Sequence, residues 1–174
     1  LLMRYAELVD AIGGTYVTAA DMNTGQADMD VVGERTTHVL GRSRERGGSG
    51  DPAPSTAVGV FHGVAASLGH AFGSHTVEGR TVLVQGVGAV GGRLAELLND
   101  AGATVLVSDV DPVRARTKAD QIGARVIAPD RVVGTVCDVY APCATGGVLD
   151  AATIPALRAV TRLERTEAMR RTFV

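Results

Sequence analysis

The sequence predicts an α/β fold organised around a parallel sheet, and three observations predict it. Two short runs of consecutive apolar, largely β-branched residues, Thr81–Gln85 and Thr104–Asp109, have the composition of strands buried on both faces. A glycine-rich turn, Gly86-Val87-Gly88-Ala89-Val90-Gly91, follows the first run directly. Helically spaced apolar residues separate the two runs, and strands alternating with helices imply a parallel sheet with right-handed crossovers.

Each element has its own signal. Residues 1–40 begin with a helical pattern in "MRYAELVDAI", followed by a Gly13-Gly14 turn, a strand-like "TYVTA" and the polar "ADMNTGQADMD". The stretch "GRSRERGGSGDPAP" is rich in Gly, Ser, Arg and Pro and reads as a hinge between two structural units, its arginines forming a solvated face. Ala57, Val60, Phe61, Val64 and Leu68 are spaced as one face of a helix, with Ser55 placed to cap its start and Gly69 its end. After the glycine turn, Leu94, Leu97, Leu98 and Ala101 mark a second apolar stripe closed by Gly102. Asp111-Pro112 supplies an N-cap and a first-turn proline for a further helix through about Ile122. Arg125–Ala128 and Val136–Tyr140 read as two more short strands.

Composition excludes several classes of function. The formal charge is −2 with 45% hydrophobic residues, so no basic excess points to nucleic acid. No apolar run reaches the roughly 18 to 20 residues of a membrane span, and Leu1-Leu2-Met3-Arg4 lacks the layout of a signal peptide, which leaves a cytoplasmic location as the expectation. Cys137 and Cys143 do not have a CxxC or zinc-ligand spacing and read as reduced, half-buried thiols. His38, His62, His70 and His75 form no compact ligand pattern, so no metal is expected. Lys118 is the only lysine in the chain, against sixteen arginines.

The order strand, glycine turn, helix and then an acid about 20 residues on is the fingerprint of a Rossmann-type dinucleotide site. Gly86 allows the tight turn, Gly88 lets a pyrophosphate approach the backbone, and Gly91 lets helix and strand pack closely. The helix N-terminus offers amide groups and its dipole to phosphates. Asp109 ends the second strand, where a carboxylate accepts from ribose hydroxyls and repels a 2′-phosphate, favouring NAD over NADP. The competing explanation is that the glycines serve packing alone.

The segments "YVTAADMNT", "ADMD", "GRSRERGGSG", "TAVGVF", "VQGVGAVGG", "VSDVD" and "CDVYAPCATGG" together resemble the leucine, valine, phenylalanine and glutamate dehydrogenase family, most of all its leucine, valine and phenylalanine branch. The resemblance covers most of residues 3–159. It implies a substrate domain and an NAD domain, with oxidative deamination of an apolar L-amino acid to a 2-oxo acid and ammonia in a full-length, homo-oligomeric parent. Hydride passes from the substrate Cα to the nicotinamide, water adds to the imine, and ammonia leaves.

Matched position by position, Asp21 falls on the family's catalytic aspartate, which moves protons during water addition and ammonia loss. A turn or capping residue is the competing reading for an Asp beside Asn and Thr. Thr56 matches a threonine that contacts the nicotinamide amide, and Ala141, Pro142, Cys143 and Ala144 match a loop that runs beside the cofactor. Gly86, Val87, Gly88, Ala89, Val90, Gly91 and Asp109 complete the expected cofactor set. Asp28 and Asp30 fit a helix start and carry no assigned chemistry.

The expected organisation is therefore a substrate-domain remnant at 1–42, a hinge at 43–54, an incomplete NAD-binding domain at 55–159 and a divergent or frameshifted tail at 160–174. Two family lysines, one holding the substrate carboxylate and one activating water, have no counterpart; Lys118 reads as a solvated surface residue. Two functional readings stand: a fragment of an NAD-dependent amino-acid dehydrogenase, inactive by itself, or a non-catalytic NAD-binding module or partner subunit.

Overall fold

A computed structural model describes residues 1–159, and the predicted divergent tail lies outside the described residues. The chain divides into two compact units, one of Leu1–Pro52 and one that begins at Ala53.

In the first unit, helix α1 (Leu2–Ala11) and helix α2 (Gln26–Val32) bury Ala6, Met29, Val32 and Val39 between them. The strand-like "TYVTA" makes only a single parallel bridge, Thr18 to Val39. Asp28 receives the Gly25 N–H at 2.8 Å, which satisfies one of the open amides at the start of α2. Asp30 accepts from the Ser43 amide at 2.9 Å and lies 3.9 Å from Arg42 Nε. Arg42 is thus half-buried against α2, and the expectation of a solvated arginine face is corrected there; Arg44 and Arg46 are exposed.

The second unit is a layered α/β structure. Strands β1 (Thr81–Gln85), β2 (Thr104–Ser108), β3 (Arg125–Val126) and β4 (Val139–Pro142) form a wholly parallel sheet in the order β3-β2-β1-β4. Helix α3 (Ala53–Phe72) packs on helix α4 (Ala89–Asp100), while helix α5 (Pro112–Ile122) follows β2. Leu68, Val82, Val84, Leu94, Leu98 and Val107 are the centre of the core, each 0% exposed. Leu83 and Leu106 bury the opposite face of the sheet.

Several boundaries differ from expectation. Helix α3 starts before Ser55 and runs through Gly69 to Phe72, where Gly73, with φ +71°, ends it in place of Gly69; glycine at 69 instead leaves room for the His75 ring, which a Cβ there would meet at 2.3 Å. The run Arg125–Ala128 keeps only two residues as strand. Strand β4 begins three residues later than the apolar pattern suggests. Asp138 binds Thr81 through both its amide and its carboxylate, at 2.8 Å each, and so closes the sheet edge before β4 begins at Val139.

Lys118 is also corrected: its side chain is 16% exposed and its Nζ is 2.6 Å from Glu96 Oε1, tying α5 to α4. The Lys118 hydrogen bond, then that of Arg93, holds the Glu96 carboxyl below its usual range. A carboxyl whose folded-state value is lowered contributes stability above its unfolded value and loses it as pH falls through the folded one. Glu96→Gln is therefore expected to lower stability by about 1 kcal/mol at neutral pH. The deficit should close as pH falls below the ordinary glutamate range, as read from urea unfolding at a series of pH values. A deficit that persists at low pH would assign the effect to packing.

Candidate functional site

The ends of β1, β2 and β4 meet at the C-terminal edge of the sheet, where parallel α/β folds place ligands. Strand β4 lies on one side of β1 and β2 on the other, so chain connections diverge at this point. Gly86 leaves β1 with φ +85°, and its amide donates to Ser108 O at 2.7 Å. A Cβ on Gly86 would lie 2.8 Å from Cys143 O and from Ala144 N and Cα. A Cβ on Gly91 would lie 1.9 Å from Gly86 O, so helix α4 can approach the turn only with glycine there.

Gly88 is different. Its φ is −72°, which any residue adopts, and a Cβ there would meet nothing within 4 Å. Two of the three motif glycines are explained by the packing of the protein itself, and the third is not. Gly88 is also the N-cap of α4, which has no side-chain cap. The intrahelical ladder opens with the Gly92 N–H donating to Gly88 O at 2.9 Å, so the amides of Ala89, Val90 and Gly91 precede it. Gly88 and Ala89 are exposed and Val90 is half-buried.

Within the expected cofactor set, Val87 is held by the protein itself. Its side chain is buried at 4% exposure, and its amide is committed to Asp109 Oδ2 at 2.9 Å. Asp109 itself is 7% exposed. Its Oδ1 accepts from the Asp111 amide at 2.9 Å and from Arg114 Nη1 at 3.4 Å. The acid therefore braces the glycine turn against the start of α5 as well as facing the end of the sheet. Strand β2 stops at Ser108 because Asp109 has turned to make these bonds. An ionised carboxylate has about four lone-pair sites, so capacity remains for a ribose hydroxyl.

On the other side of the turn, the Cys143 amide donates to Gln85 O at 2.7 Å and extends the pairing beyond β4. Ala141 is buried, Cys143 half-buried, and Pro142 and Ala144 are exposed. Burial raises the Cys143 thiol above its usual value, which keeps it protonated. Beneath the loop, the Tyr140 hydroxyl donates to Gln85 Oε1 across 55 residues of sequence. Sequence reasoning missed this pair, since only the strand register brings the two residues together.

Thr56 lies exposed in the first turn of α3. In the first unit, Asp21 is exposed and opens a turn in which Asn23 has φ +63°. Its carboxylate accepts from the Met22 amide at 2.7 Å, and its own amide donates to Thr24 Oγ1 at 2.8 Å. The turn role and a chemical role are compatible, because the bond to Met22 occupies only one carboxylate oxygen.

A cavity of about 300 Å³ lies away from this edge, at the start of β1, lined by Phe72, Thr81, Cys137 and Asp138 among others. Burial pushes the Cys137 thiol up to about 11, so the cavity holds no ready nucleophile. Among the described residues, no three His, Cys, Asp or Glu side chains form a metal-holding group, and no helix is long and apolar enough to cross a membrane.

A family model for the glutamate/leucine/phenylalanine/valine dehydrogenases matches residues 47–113. The chain is 40% identical over 155 residues to a leucine dehydrogenase of Geobacillus stearothermophilus, covering 89% of this chain and 42% of that one. It is 43% identical over 162 residues to a valine dehydrogenase of Streptomyces albus, covering 91% and 44%. The crystal structure of an L-tryptophan dehydrogenase from Nostoc punctiforme superimposes with a TM-score of 0.69 at 36% identity, covering 91% of this chain and 44% of that one. The chain thus spans less than half the length of these relatives. Over the matched residues, the chain is similar in sequence and in fold to the glutamate/leucine/phenylalanine/valine dehydrogenases.

Proposed function

We propose that the turn Gly86–Gly91 and Asp109 bind NAD, and that the full-length protein oxidatively deaminates an apolar L-amino acid to its 2-oxo acid and ammonia. In this reading Leu1–Pro52 is the tail of the substrate domain and the second unit is the cofactor domain. The observation that carries the proposal is Gly88. The protein has no steric need for glycine there, yet the position opens on empty space beside an uncapped helix start. A pyrophosphate close to the backbone accounts for both features.

The remaining residues fit the same ligand. The amides of Ala89, Val90 and Gly91 would hold the phosphates, and Asp109 would accept from the adenosine ribose. Thr56 would meet the nicotinamide amide, and the Ala141–Ala144 loop would run beside the cofactor. When bound, NAD supplies the acceptor for the hydride leaving the substrate Cα. Asp21 would take a proton from the water that adds to the imine carbon and return one to the departing amine. The leucine and valine dehydrogenase relatives support an apolar amino acid as the substrate class.

The second reading is a non-catalytic NAD-binding module or partner subunit. Both readings require the same cofactor site. With no tryptophan in the chain, binding is followed by the emission of NADH itself. Saturable enhancement that AMP competes away is the expected result. A folded chain that leaves NADH emission unchanged, and shows no binding by equilibrium dialysis, would remove both readings.

A further inference from the structure

The guanidinium of Arg114 lies beside two acids at the end of β2. Its Nη1 is 3.4 Å from Asp109 Oδ1 and its Nη2 is 3.6 Å from Asp111 Oδ2. The two acids differ: the Asp109 side chain is 4% exposed, whereas those of Asp111 and Arg114 are 43% and 53% exposed. Asp109 is fixed and Arg114 has room to swing.

Arg114 bears on ligand choice through the acceptor sites of Asp109. Of about four lone-pair sites on a carboxylate, three are taken by Val87 N–H, Asp111 N–H and Arg114. One is left while Arg114 stays docked, and two are left when it moves. A ribose diol brings two hydroxyls and would use both. A 2′-phosphate would meet the charges of Asp109 and Asp111, but also a planar fork of donors suited to phosphate oxygens. With Arg114 the local formal charge is −1; without it, the charge is −2. Arg116 is exposed but two positions further along α5, and residues so spaced do not share a helix face.

Resting on the NAD reading above, we propose that Arg114 is a specificity-determining residue at the ribose 2′ position. It blunts the exclusion of a 2′-phosphate by Asp109 and Asp111. The site accordingly prefers NADH but also takes NADPH, and the margin between the two is set by Arg114.

The test is titration of the 174-residue chain with NADH and NADPH, following the coenzyme's own emission, with urea midpoints recorded for each variant. Arg114→Ala is expected to widen the preference for NADH about fivefold, chiefly by weakening NADPH, the scale of an exposed charge contact. Asp111→Ser keeps an N-cap side chain while removing one carboxylate, and is expected to narrow the preference by a similar factor. Arg116→Ala is expected to leave it unchanged. If Arg114→Ala binds NADH and the ratio does not move, the proposal falls while the NAD reading stands. An equal shift from Arg116→Ala would also overturn it, by reducing the effect to general surface charge. If the folded parent chain binds neither coenzyme, the NAD reading falls and takes this proposal with it.

Discussion

Gly88→Val is expected to leave the chain folded and to weaken NADH binding by roughly ten- to a hundredfold, whereas Gly91→Ala is expected to destabilise the fold itself. Both changes add a side chain to the same turn, so the contrast separates a glycine kept for a ligand from one kept for packing. At Gly88 the backbone is ordinary and the space above Cα is open. A valine there overlaps only what would approach from outside. Overpacking of that kind costs about 1–3 kcal/mol, which is the stated loss of affinity. At Gly91 a single methyl lands 1.9 Å from Gly86 O and 2.9 Å from Cys143 Cβ. Helix α4 must then withdraw from the turn that Asp109 and Ser108 hold in place. The expected cost is about 3 kcal/mol or more, read as a lowered urea midpoint. Unchanged NADH affinity in a folded Gly88→Val variant would show that nothing approaches the turn. An unchanged urea midpoint in Gly91→Ala would show that the helix can shift cheaply.

What was legible in the sequence was local. Thr81–Gln85 and Thr104–Ser108 are recognisable because strands covered on both faces must be continuously apolar. The start of α5 is equally plain, since Asp111 caps the amides of Val113 and Arg114 and Pro112 cannot donate in any case. The rest depends on partners far away in sequence. Val136–Tyr140 looks like one strand, but Asp138 is drawn to Thr81, 57 residues earlier, and the pairing shifts toward Pro142. Gly69 looks like a helix stop, but glycine there leaves room for the His75 ring and Gly73 ends the helix. Lys118 looks solvated because its neighbours in sequence are polar, while its true neighbour, Glu96, is on another helix. At the site, the spacing of Gly86, Gly88, Gly91 and Asp109 indicated a nucleotide turn. It gave no sign that Asp109 already holds Val87, because that bond spans 22 residues.

The purified 174-residue chain is expected to form no NADH from leucine, valine or phenylalanine at alkaline pH, even where it binds NADH. The family resemblance requires one lysine for the substrate carboxylate and another to activate water. The chain has one lysine, and its ammonium is held 2.6 Å from Glu96. That pairing ties α5 to α4 and occupies the Lys118 ammonium, so it is not available for either role. Asp21 is left without the group it works with, and residues that act as a unit lose most of their effect when one is removed. The expected deficit against a whole dehydrogenase is on the order of 10⁴-fold or more. A chimera in which a leucine dehydrogenase supplies the segments bearing both lysines is expected to recover turnover. In that chimera, Asp21→Asn should lower kcat by roughly 10² to 10⁴ while NADH affinity stays the same. Undiminished turnover in the Asp21→Asn chimera would return Asp21 to its turn, where its bond to the Met22 amide is role enough. Steady NADH formation by the unmodified chain, free of host dehydrogenase, would mean that a base other than lysine serves this site.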